Sequence, residues 1–218
     1  MRRPVVPLLL LAVCATGMSA CSDSELRQDQ TADVLLTQEE FPLEGFTRGE
    51  VTEREPTEDG AESTASTDDS LAALIEGQDV PDACREALEA TGLSDEGVVA
   101  QSSVTFSGES SGLLPTEAEL VVATTDGTSP LDALATVNQE CEELRLEESG
   151  VTTTLEFTEL DNLDGTNIVI AFGDQELRLT VGGRTEASTL VAVSSTGVEE
   201  GDVEQIVQTQ FDKIDAAD

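Results

Sequence analysis

The chain contains no histidine, tryptophan or tyrosine, and Lys213 is its only lysine. Without imidazole, nucleophilic triads that use histidine as the base and zinc sites that use it as a ligand are absent. Positive charge is scarce: ten Lys and Arg stand against 46 Asp and Glu, a formal net charge of −36. Such a surface repels nucleic-acid phosphates and anionic head groups, so nucleic-acid binding is excluded. The acids are spread along the whole chain, as a solvated surface that keeps a protein soluble requires; a divalent cation or a basic partner is the alternative use. The apolar run Val5 to Val13, broken by Pro7, covers about half of the roughly 20 residues a membrane-crossing helix needs.

That run has a different meaning in context. Arg2 and Arg3 precede it, and the small residues Thr16, Gly17, Ser19 and Ala20 follow, which marks residues 1–20 as a secretory signal peptide. Met18-Ser19-Ala20-Cys21 resembles the lipobox of bacterial lipoproteins, with Met18 where leucine is usual. The resemblance implies that Cys21 Sγ takes a diacylglycerol, that the chain is cut after Ala20, and that acyl chains of the palmitate kind hold it on the outer face of the cell membrane. Two acyl chains give stable attachment, since each buried methylene contributes about 0.8 kcal/mol. Residues 21–30 are then a lipidated tether. An ordinary signal peptide cut at the same bond, leaving Cys21 as a free or disulfide-bonded thiol, is the alternative.

Cysteine counting follows. Cys14 leaves with the signal and Cys21 goes to lipid, so Cys84 and Cys141 remain as a pair in an oxidising compartment, where a disulfide is expected. They are 57 positions apart, a loop whose closure is worth roughly 4 kcal/mol. That separation has nothing in common with a redox-active CxxC pair.

Residues 31–218 read as a single α+β domain, with a disordered loop at about 55–70 where apolar periodicity vanishes. Thr37 followed three residues later by Glu40 forms a capping box, and Phe41-Pro42 stops the helix quickly. Leu43 to Thr52 holds a short strand. Leu71, Leu74 and Ile75 make a one-sided helix ending at Gly77. Pro81 then opens a second helix at its first position, and Cys84, Ala87 and Leu88 share one face. Val98 to Phe106 and Leu120 to Thr124 alternate as strands. Ser129 as N-cap and Pro130 start another helix, along which Leu131, Leu134, Val137, Cys141 and Leu144 recur at helical spacing. Both half-cystines therefore lie on buried helix faces, and the bridge joins two helices side by side on a sheet. Four alternating strands follow, around Val151, Ile168, Leu177 and Leu190, with hairpin turns expected at Asp164-Gly165, Gly173-Asp174 and Gly182-Gly183. Val203, Ile206, Val207, Gln210, Phe211 and Ile214 mark a terminal amphipathic helix. The fold class is thus α+β: an antiparallel sheet with a C-terminal strand meander, helices packed on it, and one helix–helix disulfide.

Few residues point to chemistry. Placing Gly165 at the sixth position of a calcium loop puts Leu160 first and Ala171 twelfth, where carboxylates are needed, so that match fails. Glu39 with Glu40, and Glu142 with Glu143, are adjacent carboxylates that a helix would point to different sides. Arg178 and Arg184 flank Gly182-Gly183 and meet either an anionic ligand or nearby acids on the strand. No catalytic residue, cofactor or metal ligand is expected, and the protein is read as a non-enzyme.

Asp33-Val34-Leu35-Leu36-Thr37-Gln38-Glu39-Glu40-Phe41-Pro42-Leu43-Glu44-Gly45-Phe46-Thr47 resembles the opening of a group of actinobacterial lipoproteins. In that group a leucine pair, a Thr or Ser cap and a Pro/Gly turn precede the first strand. The domain is similar to the sensor-type extracellular domain of actinobacterial receptor Ser/Thr kinases, across residues 31–214. The resemblance implies an α+β domain with a cleft over the sheet that binds an envelope ligand. This chain departs from the group in keeping one cysteine pair where two are common and in lacking the aromatic residues common there, so no ligand-binding residues are carried over. The expectation is a lipid-anchored extracytoplasmic envelope protein with a ligand- or partner-binding, sensor-like domain. A lipid or lipoglycan carrier holding acyl chains against the sheet is the alternative, and a carboxylate hydrolase a third.

Overall fold

The computed structural model describes Leu26 and residues 30–54, Ile75, Gln78, and residues 80–91, 98–110, 114–127, 129–148 and 150–217. The expected signal peptide, Cys21, the Ser/Thr-rich stretch at 55–70 and most of the helix expected before Gly77 lie outside these residues.

Eight strands form one antiparallel sheet: β1 (Thr47–Arg54), β2 (Val98–Ser107), β3 (Glu117–Thr125), β4 (Glu143–Glu148), β5 (Val151–Glu159), β6 (Asp164–Phe172), β7 (Gln175–Glu186) and β8 (Thr189–Thr196). Their spatial order is β1-β2-β3-β8-β7-β6-β5-β4, so the meander β4 to β8 folds back until β8 pairs with β3 at the centre. The described helices are α1 (Asp82–Ala90), α2 (Asp132–Glu140) and α3 (Glu200–Ala217). The architecture is the expected α+β, with one strand more in the meander than the sequence suggested.

Side-chain alternation explains how the helices are distributed. On what we term the front face, Leu144, Leu146, Leu155, Phe157, Ile168 and Ile170 from β4 to β6 pack with Cys84, Ala87 and Leu88 of α1 and Val137 of α2. On the back face, Val104, Phe106, Leu120, Val122, Val191 and Val193 from β2, β3 and β8 pack with Val203, Ile206, Val207, Phe211 and Ile214 of α3. Every position of the stripe expected on the last helix, Gln210 included, is buried. The segment 31–41 lies on the same core through Val34, Leu35, Leu36 and Phe41, and Leu26 is partly buried against it. Each face of the sheet is therefore roofed over a different half.

The disulfide joins Cys84 to Cys141, with Cα atoms 4.9 Å apart. Cys84 lies on α1, and Cys141 caps the end of α2, its N–H bonded to the Val137 carbonyl. The bridge links the two helices as expected, but α2 stops at Glu140. Leu144 belongs to β4, where it pairs with Leu155. Helical and strand periodicities overlap over so short a stretch, and sheet pairing decides between them. Both helix starts also shift: Pro81 is the N-cap of α1, and Ser129 and Pro130 form a turn before α2, with Ser129 Oγ accepting the Leu131 N–H at 3.3 Å. The Thr37 capping box forms on one side, Thr37 N–H donating to Glu40 at 2.8 Å, but it closes a single turn before Phe41.

Of the three expected hairpin turns only Gly173-Asp174 is one, with Gly173 at φ +61° in the first central position, as a II′ turn prefers. Asp164-Gly165 and Gly182-Gly183 lie inside β6 and β7, where Gly165 is the register partner of Gly182. A Cβ on Gly182 would overlap Leu160 Cδ1, and one on Gly165 would overlap the Val181 carbonyl oxygen. The paired glycines thus make a depression in the back face that receives Leu160 from the β5–β6 loop. The true turn after β7 is Ala187-Ser188, with Ala187 at φ +53°.

Candidate functional site

The half-roofed sheet leaves two surfaces to consider. On the back face of β4 to β7, ion pairs dominate: Arg145 lies 2.9 Å from Glu143, and Arg178 lies 3.5 Å from Glu176. These are neighbours two apart on one strand, side by side on the same face. Arg184 is held by Glu186 at 3.0 Å, by Gln208 at 3.1 Å, and over the Phe211 ring at 4.9 Å. Both arginines singled out in the sequence are thus engaged with neighbouring side chains of the chain itself.

The front face over β2, β3 and β8 is different. Its floor is half-buried Thr105, Glu119, Val121, Ser194 and Thr196, with Ser103 buried. Toward one end of this floor Leu131, just before α2, and Leu134 of α2 cover Ala123 and Leu190. At the other end the floor runs into a pocket of about 530 Å³. The β6–β7 hairpin, the end of β8 and the segment before β3 converge there. Phe172, Leu177 and Thr196 supply its floor from the front face, and Leu114, Pro115 and Thr116 supply a wall. Gln175, Glu176 and Arg178 lie at the start of β7, and Gly197 closes the side. Gly197 N–H donates to the Arg178 carbonyl at 3.0 Å, and Gly108 N–H to the Thr116 carbonyl at 2.7 Å, which fixes two of the converging segments. Pockets of about 300–1,000 Å³ accommodate drug-sized ligands.

The adjacent carboxylates do not assemble a reactive site. Glu40 is bound by Lys213 at 2.6 Å. The Lys213 ammonium, and after it the Thr37 backbone N–H, lower the Glu40 pKa from 4.5 to about 2. A carboxylate held ionised in this way suits a structural ion pair and not proton donation near neutral pH. Glu143 is engaged by Arg145 on the edge strand β4. Among the described residues no group of three His, Cys, Asp or Glu side chains is arranged to hold a metal ion. None of them forms a helix long and apolar enough to cross a membrane. The Cys84–Cys141 bridge is buried in the α1–α2 core, and Cys21 lies outside the described residues.

The pocket escapes sequence reading because its walls come from three separated stretches, each ordinary alone. Leu114-Pro115, at the end of a turn-rich connection, is the nearest thing to a signal, since Leu114 is 45% exposed.

No protein-family model matches the chain, and no curated protein matches its sequence. Among solved structures, it is similar in fold to the extracellular domain of PknH from Mycobacterium tuberculosis, at TM-score 0.52 and 14% identity. The match covers 88% of this chain and 98% of that one. The likeness to a sensor-type extracellular domain expected across residues 31–214 is thus supported in fold, and the resemblance of residues 33–47 to a lipoprotein group is not tested by it.

Proposed function

We propose that this is a lipid-anchored extracytoplasmic envelope protein whose sheet domain binds a ligand or partner in a sensor-like manner and performs no catalysis. The observation that carries the reading is the fold itself, shared over nearly the whole of an extracellular domain. The closed Cys84–Cys141 bridge is in keeping with an oxidising compartment. The signal segment and the lipobox-like Met18 to Cys21 supply the route and the anchor, with Cys21 as the lipidated residue and the membrane as its first partner. Leu26, only five residues from Cys21, rests on the back-face core. An extended chain of that length spans at most about 17 Å, so the domain lies close to the bilayer that holds it. A ligand would enter from the open front face, at the pocket between the β6–β7 hairpin and Leu114.

The carrier alternative needs an enclosed apolar chamber. The pocket of about 530 Å³ opens to solvent at the strand ends, which favours recognition of one modest ligand over transport of long acyl chains. Detergent phase partition tests the anchor: the native chain is expected in the detergent phase, and Cys21→Ser is expected in the aqueous extracytoplasmic fraction. Equal partition of the two into the aqueous phase contradicts it.

A further inference from the structure

The geometry points to the front-face pocket as a site for a single uncharged, largely apolar ligand, and against anionic amphiphiles of the same size. This deepens the ligand-binding reading and rests on it. The walls contributed by Leu114, Pro115, Phe172 and Leu177 are apolar, and burying a ligand body against them is favourable at about 25 cal/mol per Å². The polar groups available are neutral donors and acceptors: the Thr116 and Thr196 hydroxyls and the Gln175 amide. They can hydrogen-bond a hydroxyl, amide or carbonyl.

Charge decides the rest. The only charged residues of the lining, Glu176 and Arg178, already form a pair at 3.5 Å. Their side chains turn to the back face of β7, so neither offers a counter-charge to an anion held on the front face. Such an anion would also enter the field of a chain with formal charge −36. A neutral ligand meets neither penalty.

The test uses two probes sharing one aromatic body: neutral N-phenyl-1-naphthylamine, and 1-anilinonaphthalene-8-sulfonate, which adds a sulfonate. The protein is the full chain carrying Cys21→Ser, without detergent. Having neither tryptophan nor tyrosine, it leaves the probe emission unobscured. Saturable binding of the neutral probe at one site is expected, with the sulfonate at least about tenfold weaker at low salt and the gap narrowing as salt screens the field. Thr196→Phe and, separately, Thr116→Phe fill the pocket and are expected to weaken neutral-probe binding about tenfold while the thermal midpoint stays near that of the parent. Equal or tighter binding of the sulfonate overturns the inference. So does non-saturable uptake of the neutral probe, or binding that neither well-folded variant reduces. Probe binding is independent of the anchor and phase partition is independent of the pocket, so the two readings fail separately.

Discussion

At the scale of residues, Gln210 and Lys213 replace secondary structure for the segment that precedes β1. Residues 31–41 form only turns, and their backbone groups need partners once buried. The fully buried Gln210 amide accepts the Leu36 N–H at 3.1 Å and donates to the Val34 carbonyl at 2.8 Å, and Lys213 donates to the Leu35 carbonyl at 2.9 Å. Gln210→Ala strands one donor and one acceptor, and is expected to cost about 3 kcal/mol, read as a lower urea midpoint at unchanged slope. A loss below about 0.5 kcal/mol would show that the segment does not depend on this amide. Glu40 gives the pH signature. Its folded pKa, about 2, lies below its ordinary 4.5, so the stabilisation is complete above pH 4.5 and is lost as pH falls toward 2. Its side chain is 44% exposed and solvent screens the pair, so about 1 kcal/mol is expected. Glu40→Gln should therefore lower stability at neutral pH and match the parent near pH 2; an unchanged gap at both would contradict the linkage.

At the scale of elements, most of the fold is legible because alternation and helical stripes survive packing. The α3 stripe and the in-out pattern of β2, β3, β5 and β6 follow from side-chain period alone. The misread stretches are those where a local signal has a tertiary purpose. Gly182 resembles a turn residue, yet it serves a contact with Leu160 that lies 22 positions earlier in the chain. β4 is hidden because Leu144 continues the α2 stripe in sequence while pairing with Leu155 in space. The glycine depression can be tested by a double-mutant cycle. Gly182→Ala is expected to cost about 2 kcal/mol by overpacking Leu160, and Leu160→Ala about 3 kcal/mol by leaving a cavity. The double variant should lose less than the sum by about 1 kcal/mol or more, because the shortened side chain no longer meets the new methyl. Strict additivity in urea unfolding would show that the glycine is not there for Leu160.

At the scale of the molecule, a sheet roofed on opposite faces over opposite halves explains how three described helices stabilise eight strands and still leave a surface free of the described helices. The candidate site lies on that free surface and could not be read from the sequence, since Leu114, Phe172, Leu177 and Thr196 meet only once β8 has returned to β3. The formal charge of −36 acts on the whole structure through self-repulsion. Raising salt from about 0.01 M to 0.15 M shortens the screening length from about 30 to 8 Å and should raise the thermal midpoint by several degrees; a fall would mean that attractive pairs such as Lys213–Glu40 outweigh the repulsion. The central claim, a disulfide-stapled sensor-like domain held outside the cell by one modified cysteine, is tested most directly by mass spectrometry of the protein taken from its native membrane. The expected result is a chain beginning at a diacylglyceryl Cys21 and carrying a Cys84–Cys141 cross-link. A chain that keeps residues 1–20, with Cys21 unmodified and both downstream thiols reduced, would contradict it.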